Sequence, residues 1–495
     1  MSDLLPALPI ALPILVAAAC LVAWRAPAVQ RALALIGLGG LLVAASALLA
    51  AVVRTGPITM EIGGWTAPIG IAFHADLLGA VMTLVAALVR VAVGVYALFE
   101  IPEGEARRGF WPLVVLLVMG VCGAFLTADI FNLFVWFEVM LIASFVLLAL
   151  GREPRQLAAA HVYLVLNLIG STIFLVTVGL IYGAVHTLDF RGLAERMAAL
   201  AEVQPGLVLA IEALLLVAFG LKAAVVPAMF WLPASYHTPQ PAVSALFAAL
   251  LTKVGVYAMI RVTAGVLPPS AQVHAALVVI AMATMLVGVC GALAQPSVRR
   301  ILSFHIVSQI GYMVAGLALA VGTAAQRRFA LAAAIFYVVH HILVKTNLFL
   351  VAGVIRRTRG TESLARLGGL GRTHPYLAAL FLVSSLSLAG VPPLSGFWAK
   401  LAVIRASLDQ GELALAVVAV LTGLLTLLSM LKIWFGAFAG PPPAEPGPPP
   451  PRAAIRAMYA GATLLALGTL ALSLAPEALF AIAFGAADQL LRGAP

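Results

Sequence analysis

The sequence predicts an all-α integral membrane protein of about fourteen transmembrane helices. Three observations predict it. Hydrophobic residues make up 63% of the 495 positions and charged ones 10%, too little polar surface to cover a water-soluble globule of that length. Apolar runs of about 20 residues recur from end to end, long enough at about 1.5 Å per residue to cross a hydrocarbon core of about 30 Å. The short alternating segments that build a membrane barrel do not occur.

The spans, in order, are Leu4 to Trp24, Ala28 to Val53, Leu77 to Leu98, Phe110 to Leu126, Ile130 to Leu150, Leu157 to Ala184 and Leu207 to Val226, then Pro241 to Val266, Val273 to Leu293, Ile301 to Ala320, Phe329 to Ile355, Leu377 to Ala406, Leu413 to Phe438 and Ile455 to Leu479. The first lacks a basic n-region and exceeds a secretory h-region, so it is expected to stay as a helix. Three connections have their own character. Thr55 to Phe73 alternates turn residues with short apolar strands and predicts an external β-hairpin. His186 to Val203 sets apolar residues at helical spacing beside charges, as a helix lying at the outer interface does. Pro441 to Arg452 reads as an extended polyproline-like linker.

Basic residues set the orientation. Odd-numbered connections carry Arg25 and Arg31, Arg107 and Arg108, Arg152 and Arg155, Arg299 and Arg300, the cluster from Arg356 to Arg372, and Arg452 and Arg456. Even-numbered ones carry fewer, among them Arg54, Arg191, Arg196, Arg261, Arg327 and Arg328. Odd connections are therefore expected in the cytoplasm and both termini outside. The net charge of +10 is then mostly topology, and no basic face is large enough for a nucleic acid. Cys20, Cys122 and Cys290 fall in spans without metal-ligand spacing and read as packing residues. The Gly37-Leu38-Gly39-Gly40 run lies mid-helix rather than after a strand. No metal, cofactor or electron carrier is expected.

The chemistry lies inside the spans, where a charged side chain costs at least about 2.5 kcal/mol and needs a partner, a wet cavity or a task. Glu138 is near the middle of the fifth span, Lys222 lies in the seventh and Lys253 halfway through the eighth. The eleventh supplies His340, His341 and Lys345, with His341 and Lys345 one turn apart on a common face. The tenth adds His305 and Gln309, and the twelfth Lys400. An acid, lysines and histidines at mid-depth on different helices read as a proton relay. Burial lowers a lysine's proton affinity and a neighbouring glutamate raises it, so moving the partner loads or releases a proton. A static Glu138–Lys222 ion pair, a snorkelling Lys400 and a structural His305 are the competing readings.

Lys222 precedes Pro227 and Pro233, while Pro392, Pro393 and Gly396 precede Lys400. Two interrupted helices, one in each half, point to inverted repeats with an ion path at the breaks. The expected division is 1–109 for helices one to three with the hairpin, 110–266 and 273–438 for two five-helix repeats, each with one discontinuous helix, and 439–495 for the linker and helix fourteen.

The stretches TADIFNLFVWFEVMLIASF, FGLKAAVVPAMFWLPASYHTPQPAVSALFAALLTKVGVYAMIRV, HHILVKTNLFLVAGVI and LAGVPPLSGFWAKL together resemble the antiporter-like proton-translocating family, and within it the D-subunit branch of multisubunit Mrp-type Na⁺/H⁺ antiporters. The resemblance covers spans four to thirteen. It implies the fourteen-helix fold, a glutamate–lysine pair at Glu138 and Lys222, a central lysine at Lys253, a terminal lysine at Lys400, and a hetero-oligomeric complex in a prokaryotic cell membrane. Relatives in respiratory complex I and membrane hydrogenases usually read Trp-Leu-Pro-Asp-Ala-His at the first break, where this chain has Trp231-Leu232-Pro233-Ala234-Ser235-Tyr236. His237 follows and joins His305 and His340 as an additional relay candidate. Two functions follow: a proton-translocating subunit of a Na⁺/H⁺ antiporter, or the proton-pumping membrane arm of a redox complex. The chain is expected to be a secondary transporter subunit and not an enzyme; under the alternative it would be part of a redox-driven translocase.

Overall fold

The computed structural model describes residues 2–66, 69–268, 270–441 and 452–492. Helices α1 (Leu8–Val22) and α2 (Pro27–Thr55) lead to strands β1 (Ile58–Glu61) and β2 (Ala72–Ala75), then α3 (Leu77–Glu100) and the short α4 (Glu103–Arg107). The chain continues through α5 (Phe110–Leu126), α6 (Ile130–Ala149), α7 (Pro154–Val185), α8 (Phe190–Val203), α9 (Pro205–Ala223), α10 (Trp231–Ser235) and α11 (Pro241–Gly265). It ends with α12 (Ala271–Ala294), α13 (Val298–Ala318), α14 (Ala324–Arg359), α15 (Leu370–Thr373), α16 (Pro375–Ala389), α17 (Ser395–Asp409), α18 (Leu413–Ile433), α19 (Arg452–Leu474) and α20 (Pro476–Leu491).

Twelve helices among the described residues are long and apolar enough to cross a membrane, and the shorter apolar Phe110–Leu126 and Pro375–Ala389 complete the expected set. Their starts follow local chemistry. Proline occupies the first turn of α2, α7, α9, α11, α16 and α20, where its missing N–H costs nothing. The carboxylates of Asp76, Asp129 and Asp189 accept the free N–H groups of α3, α6 and α8. The predicted hairpin is present as an antiparallel pair with Ile58 opposite Ala75. Helix α8 buries Phe190, Leu193 and Met197 on one face, as the amphipathic pattern required.

Helices α11 and α14 are buried throughout their most apolar 18 residues, whereas α1, α2, α7, α12 and α18 keep much of their surface exposed, as lipid-facing helices do. The two breaks fall where the prolines placed them. Helix α9 ends with Ala224 in the left-handed region, and α16 ends the same way with Gly390. At both ends the chain folds back to bond the last turn, Val225 N–H to Gly220 O and Val391 N–H to Leu386 O. A break frees carbonyls that lipid cannot satisfy. Trp231 Nε1 donates to Leu221 O at 2.9 Å, and Lys400 Nζ to Ala389 O at 2.8 Å.

Packing recurs between the halves, the glycine contacts at one constant offset along the chain. Gly120 lies against Met140, and Gly123 against Trp136, where a Cβ would sit 2.8 and 2.3 Å from their side chains; Gly288 against Ser308 and Gly291 against Phe304 repeat the arrangement. The backbone bridge Asp129–Asp189 recurs as Ser297–Ser363.

Three expectations are corrected. The last span does not end at Leu479: Pro476 stops α19 at Leu474 and starts α20, because its ring cannot continue the hydrogen-bond ladder. Cys290 is exposed on α12 rather than packed, unlike Cys20 and Cys122. Arg261 is no loop charge; it is buried in α11 and grips Asp76 with two bonds of 2.5 and 2.8 Å. The competing reading of a snorkelling Lys400 does not match the structure, where the side chain is buried and its ammonium is held by Ala389 O. The expected linker from Pro441 to Arg452 falls largely on residues 442–451, outside the described residues.

Candidate functional site

The buried polar groups form two clusters. In the first, α6 carries Glu138, α7 carries Asn167 and Ser171 one turn apart, and α9 carries Lys222 just before its break. Lys222 Nζ donates to Ser171 Oγ at 2.7 Å and to Asn167 O at 3.0 Å. Ser171 Oγ in turn donates to Glu138 Oε1. The expected pair of Glu138 and Lys222 is therefore joined through a hydroxyl, not by direct contact. Gly170 lets α9 come this close, since a Cβ there would stand 3.2 Å from Leu221 Cβ. Phe137, 5.7 Å from the ammonium, packs with Phe174 and Phe219. A cavity of about 20 Å³, room for about one water, lies beside Lys222, Asn167 and Tyr163.

The second cluster runs from α11 to α18. Lys253 is fully buried and donates to Ala248 O at 2.5 Å and Thr252 Oγ1 at 3.3 Å. His341 and Lys345 on α14 lie within electrostatic reach of it. Both ring nitrogens of His341 and the Lys345 ammonium are buried without a hydrogen-bond partner among the described residues. His305 on α13 bonds Ser429 of α18 through Nε2 and lies within reach of both Lys345 and Lys400. Lys400 sits 5.1 Å from the Tyr312 ring, which stacks on Tyr337; that residue's hydroxyl donates to Gln309 at 2.6 Å. His340 turns away from His341, as two adjacent residues on one helix must, and bonds Ser395 at 2.8 Å next to the second break.

Backbone contact joins the two clusters. A Cβ on Gly255, two residues past Lys253, would lie 2.6 Å from Ala223 N and 3.0 Å from the Lys222 carbonyl carbon. Glycine at this position brings α9 and α11 together between the two lysines. His237 lies apart, in the loop before α11. Burial pushes its imidazole down to about 4, against the opposing bond of Nδ1 to Pro233 O at 2.9 Å and with Arg300, Arg299 and Arg155 adding to the shift. It is therefore uncharged at neutral pH.

The hydroxyls of Ser171, Ser395 and Ser429 and the rings of Tyr312 and Tyr337 were not anticipated. A serine or threonine in an apolar span usually bonds its own helix backbone, so residue type alone carries little signal. The one available clue is the Asn167–Ser171 spacing, a polar stripe one turn long in α7. Chemically, the first cluster is a donor chain: an ammonium, a hydroxyl able to accept and donate at once, and a carboxylate. The second gathers basic groups whose charges oppose one another, so protonating one disfavours protonating the next. Among the described residues, no three His, Cys, Asp or Glu side chains gather as metal ligands.

Residues 127–426, which contain all of these groups except Ser429, match the family model described as NADH:quinone oxidoreductase/Mrp antiporter, transmembrane. The chain belongs to this family. It is 42% identical over 434 residues to the D subunit of the Na⁺/H⁺ antiporter of Alkalihalophilus pseudofirmus, covering 88% of this chain and 86% of that protein. To its counterpart of the same name in Bacillus subtilis it is 38% identical over 391 residues, 79% of this chain and 78% of the other. Among solved structures, a chain of the Mrp complex from Dietzia sp. superposes with a TM-score of 0.90 at 36% identity, covering 99% of this chain and 97% of that one. A chain of the membrane-bound sulfane sulfur reductase, an archaeal respiratory membrane complex, also reaches 0.90, at 26% identity over 98% and 97% of the two chains.

Proposed function

We propose that this chain is the proton-translocating subunit of a multisubunit Na⁺/H⁺ antiporter, working as a transporter component and not as an enzyme. The observation that carries the reading is the donor chain from Lys222 through Ser171 to Glu138, in a family member whose similar proteins are the D subunits of Na⁺/H⁺ antiporters. Protons pass between Glu138 and Lys222 through the Ser171 hydroxyl, on to Lys253, through His341 and Lys345, and reach Lys400 with His305 and His340 beside it. His237 stays outside this path. The alternative, a proton-pumping arm of a redox complex, keeps support from the likeness to the sulfane sulfur reductase chain; the identity is lower there, 26% against 36% for the Mrp chain.

The repeats occupy 110–266 and 273–438, flanked by 1–109 and 439–495. The recurring glycine contacts and the two matching breaks support this division, and five crossings per repeat turn the second upside down relative to the first. The two lysines do not correspond under it, because Lys222 precedes its break and Lys400 follows its own. The protein resides in a prokaryotic cell membrane, its odd-numbered connections in the cytoplasm and its termini outside. A reporter fused after Arg372 is then cytoplasmic and one at Trp65 external. The test of function is Na⁺-dependent proton movement in vesicles carrying all subunits encoded beside this chain, compared with the same set lacking it. Exchange is expected only in the first. Exchange that persists without the chain, or proton movement driven by electron transfer and indifferent to Na⁺, contradicts the proposal.

A further inference from the structure

The proposed relay ends inside the protein and needs an opening to water. One region at the end of the molecule bearing the even-numbered connections has the required chemistry. Glu212, in the second turn of α9, is 3% exposed, yet among the described residues it has no ion-pair partner. The Ser270 hydroxyl is its hydrogen-bonding neighbour, and a buried carboxylate without a counter-charge is suited to take up a proton or a cation. It borders two cavities. One, of about 30 Å³, is shared with Ser270 and His274 of the α12 start and Arg327 of α14. The other, of about 370 Å³, lies towards the α8–α9 turn, beside Pro205 and Gln272.

The tautomer of His274 follows from its partner. Nδ1 lies 2.6 Å from the Ala318 carbonyl oxygen, which only accepts, so Nδ1 carries a hydrogen. Nε2 faces Glu412 Oε1 of α18 at 3.4 Å. Side-chain exposure falls from 32% at Glu412 to 20% at His274, and Glu212 is buried beyond the cavity. The titratable and charged groups facing Glu212 from the surrounding helices are His274, Arg327 and, behind the imidazole, Glu412.

We propose that Glu212, together with the His274–Glu412 pair, forms the mouth at which this protein exchanges protons with the external medium. The inference rests on the proton-translocating reading above. Glu212 and Lys222 share α9 ten residues apart, about 15 Å along the axis, with Phe219 and its aromatic neighbours between them. The larger cavity gives the mouth room for water, and the aromatic rings narrow the passage between it and Lys222.

Two measurements on the intact complex test this. In the first, a membrane-impermeant carbodiimide with a charged amine nucleophile is added to one side of sealed vesicles, and modified carboxyls are located by peptide mass spectrometry. This arm needs no substitution and does not depend on antiport, so it stands even if the transport reading fails. Glu212 and Glu412 are expected to react from outside while Glu138 stays unmodified; a Glu212 that reacts only from inside, or from neither side, overturns the proposal. In the second, Glu212→Gln is expected to cut exchange at least tenfold and Glu212→Asp to restore part of it, with assembly checked by co-purification. Exchange at the wild-type level in assembled Glu212→Gln overturns it. Should the Gln variant fail to assemble, the labelling result on the unmodified complex decides.

Discussion

Replacing Ser171 by alanine removes one oxygen atom and separates the proposed roles of the first cluster. In the native site the hydroxyl receives a bond from the Lys222 ammonium at 2.7 Å and gives one to the Glu138 carboxylate. Hydrogen bonds to charged groups contribute about 1.5–3 kcal/mol. At about 1.4 kcal/mol per tenfold in rate, losing one of them from the transfer step predicts a fall in exchange of roughly tenfold to 150-fold. Asn167 O still holds Lys222, so the complex is expected to assemble. Ser171→Thr restores a hydroxyl at the cost of one extra methyl group and is expected to recover most of the loss. The assay is the initial rate of Na⁺-dependent proton movement in vesicles, normalised to the amount of assembled complex. Wild-type exchange in Ser171→Ala would refute the hydroxyl as a link, as would an equal loss in the alanine and threonine variants.

Three further outcomes are expected. Lys400→Ala lowers exchange, and Lys400→Arg does so too while keeping a cation for Ala389 O, because arginine holds its proton above about pH 12; full exchange in an assembled Lys400→Arg complex would reduce Lys400 to a cap on α16. At Asp76, burial raises the carboxyl's proton affinity, but the charge and bonds of Arg261 outweigh it and bring the group down to about 2. An acid depressed in the folded state stabilises above its unfolded value and loses that contribution as pH falls through the folded one. Thermal stability in detergent is therefore expected to be insensitive to this pair from pH 8 to 5 and to fall between about pH 4 and 2. Asp76→Asn, which strands Arg261, is expected to cost about 3–5 kcal/mol at neutral pH, and an unshifted melting curve would contradict this.

Spans and breaks were legible because their signals are local. Twenty apolar residues measure a bilayer, and Pro227 or Pro393 interrupts a helix wherever that helix packs. The buried ionisable groups were legible for the same reason, since Glu138, Lys253 and Lys345 are conspicuous among leucines and valines. What stayed hidden depends on which helix faces which. Asp76 and Arg261 are distant in sequence, and only the meeting of α3 with α11 turns an arginine assigned to a connection and an aspartate into a buried pair. Ser171 sits between Glu138 and Lys222 because α7 passes between α6 and α9; the Asn167–Ser171 spacing marks a polar stripe on α7 but not the helices that stripe faces. The separation of the lysines into two clusters, bridged at Gly255, likewise appears only once α9 is seen against α11. Cys290 and the Ala475–Pro476 interruption were missed for a smaller reason: hydropathy does not tell a lipid-facing position from a packed one, and it runs on through a proline.

The central claim is that Glu138 and Lys222 pass a proton between them rather than merely hold two helices together. The most direct test is the double variant Glu138→Gln with Lys222→Met, assayed for Na⁺-dependent proton exchange beside each single variant. A static pair predicts that each single change strands a buried charge, while removing both charges restores a folded and active complex. The relay predicts that the double variant assembles in the membrane and still exchanges nothing, and recovery of exchange in it would contradict the account.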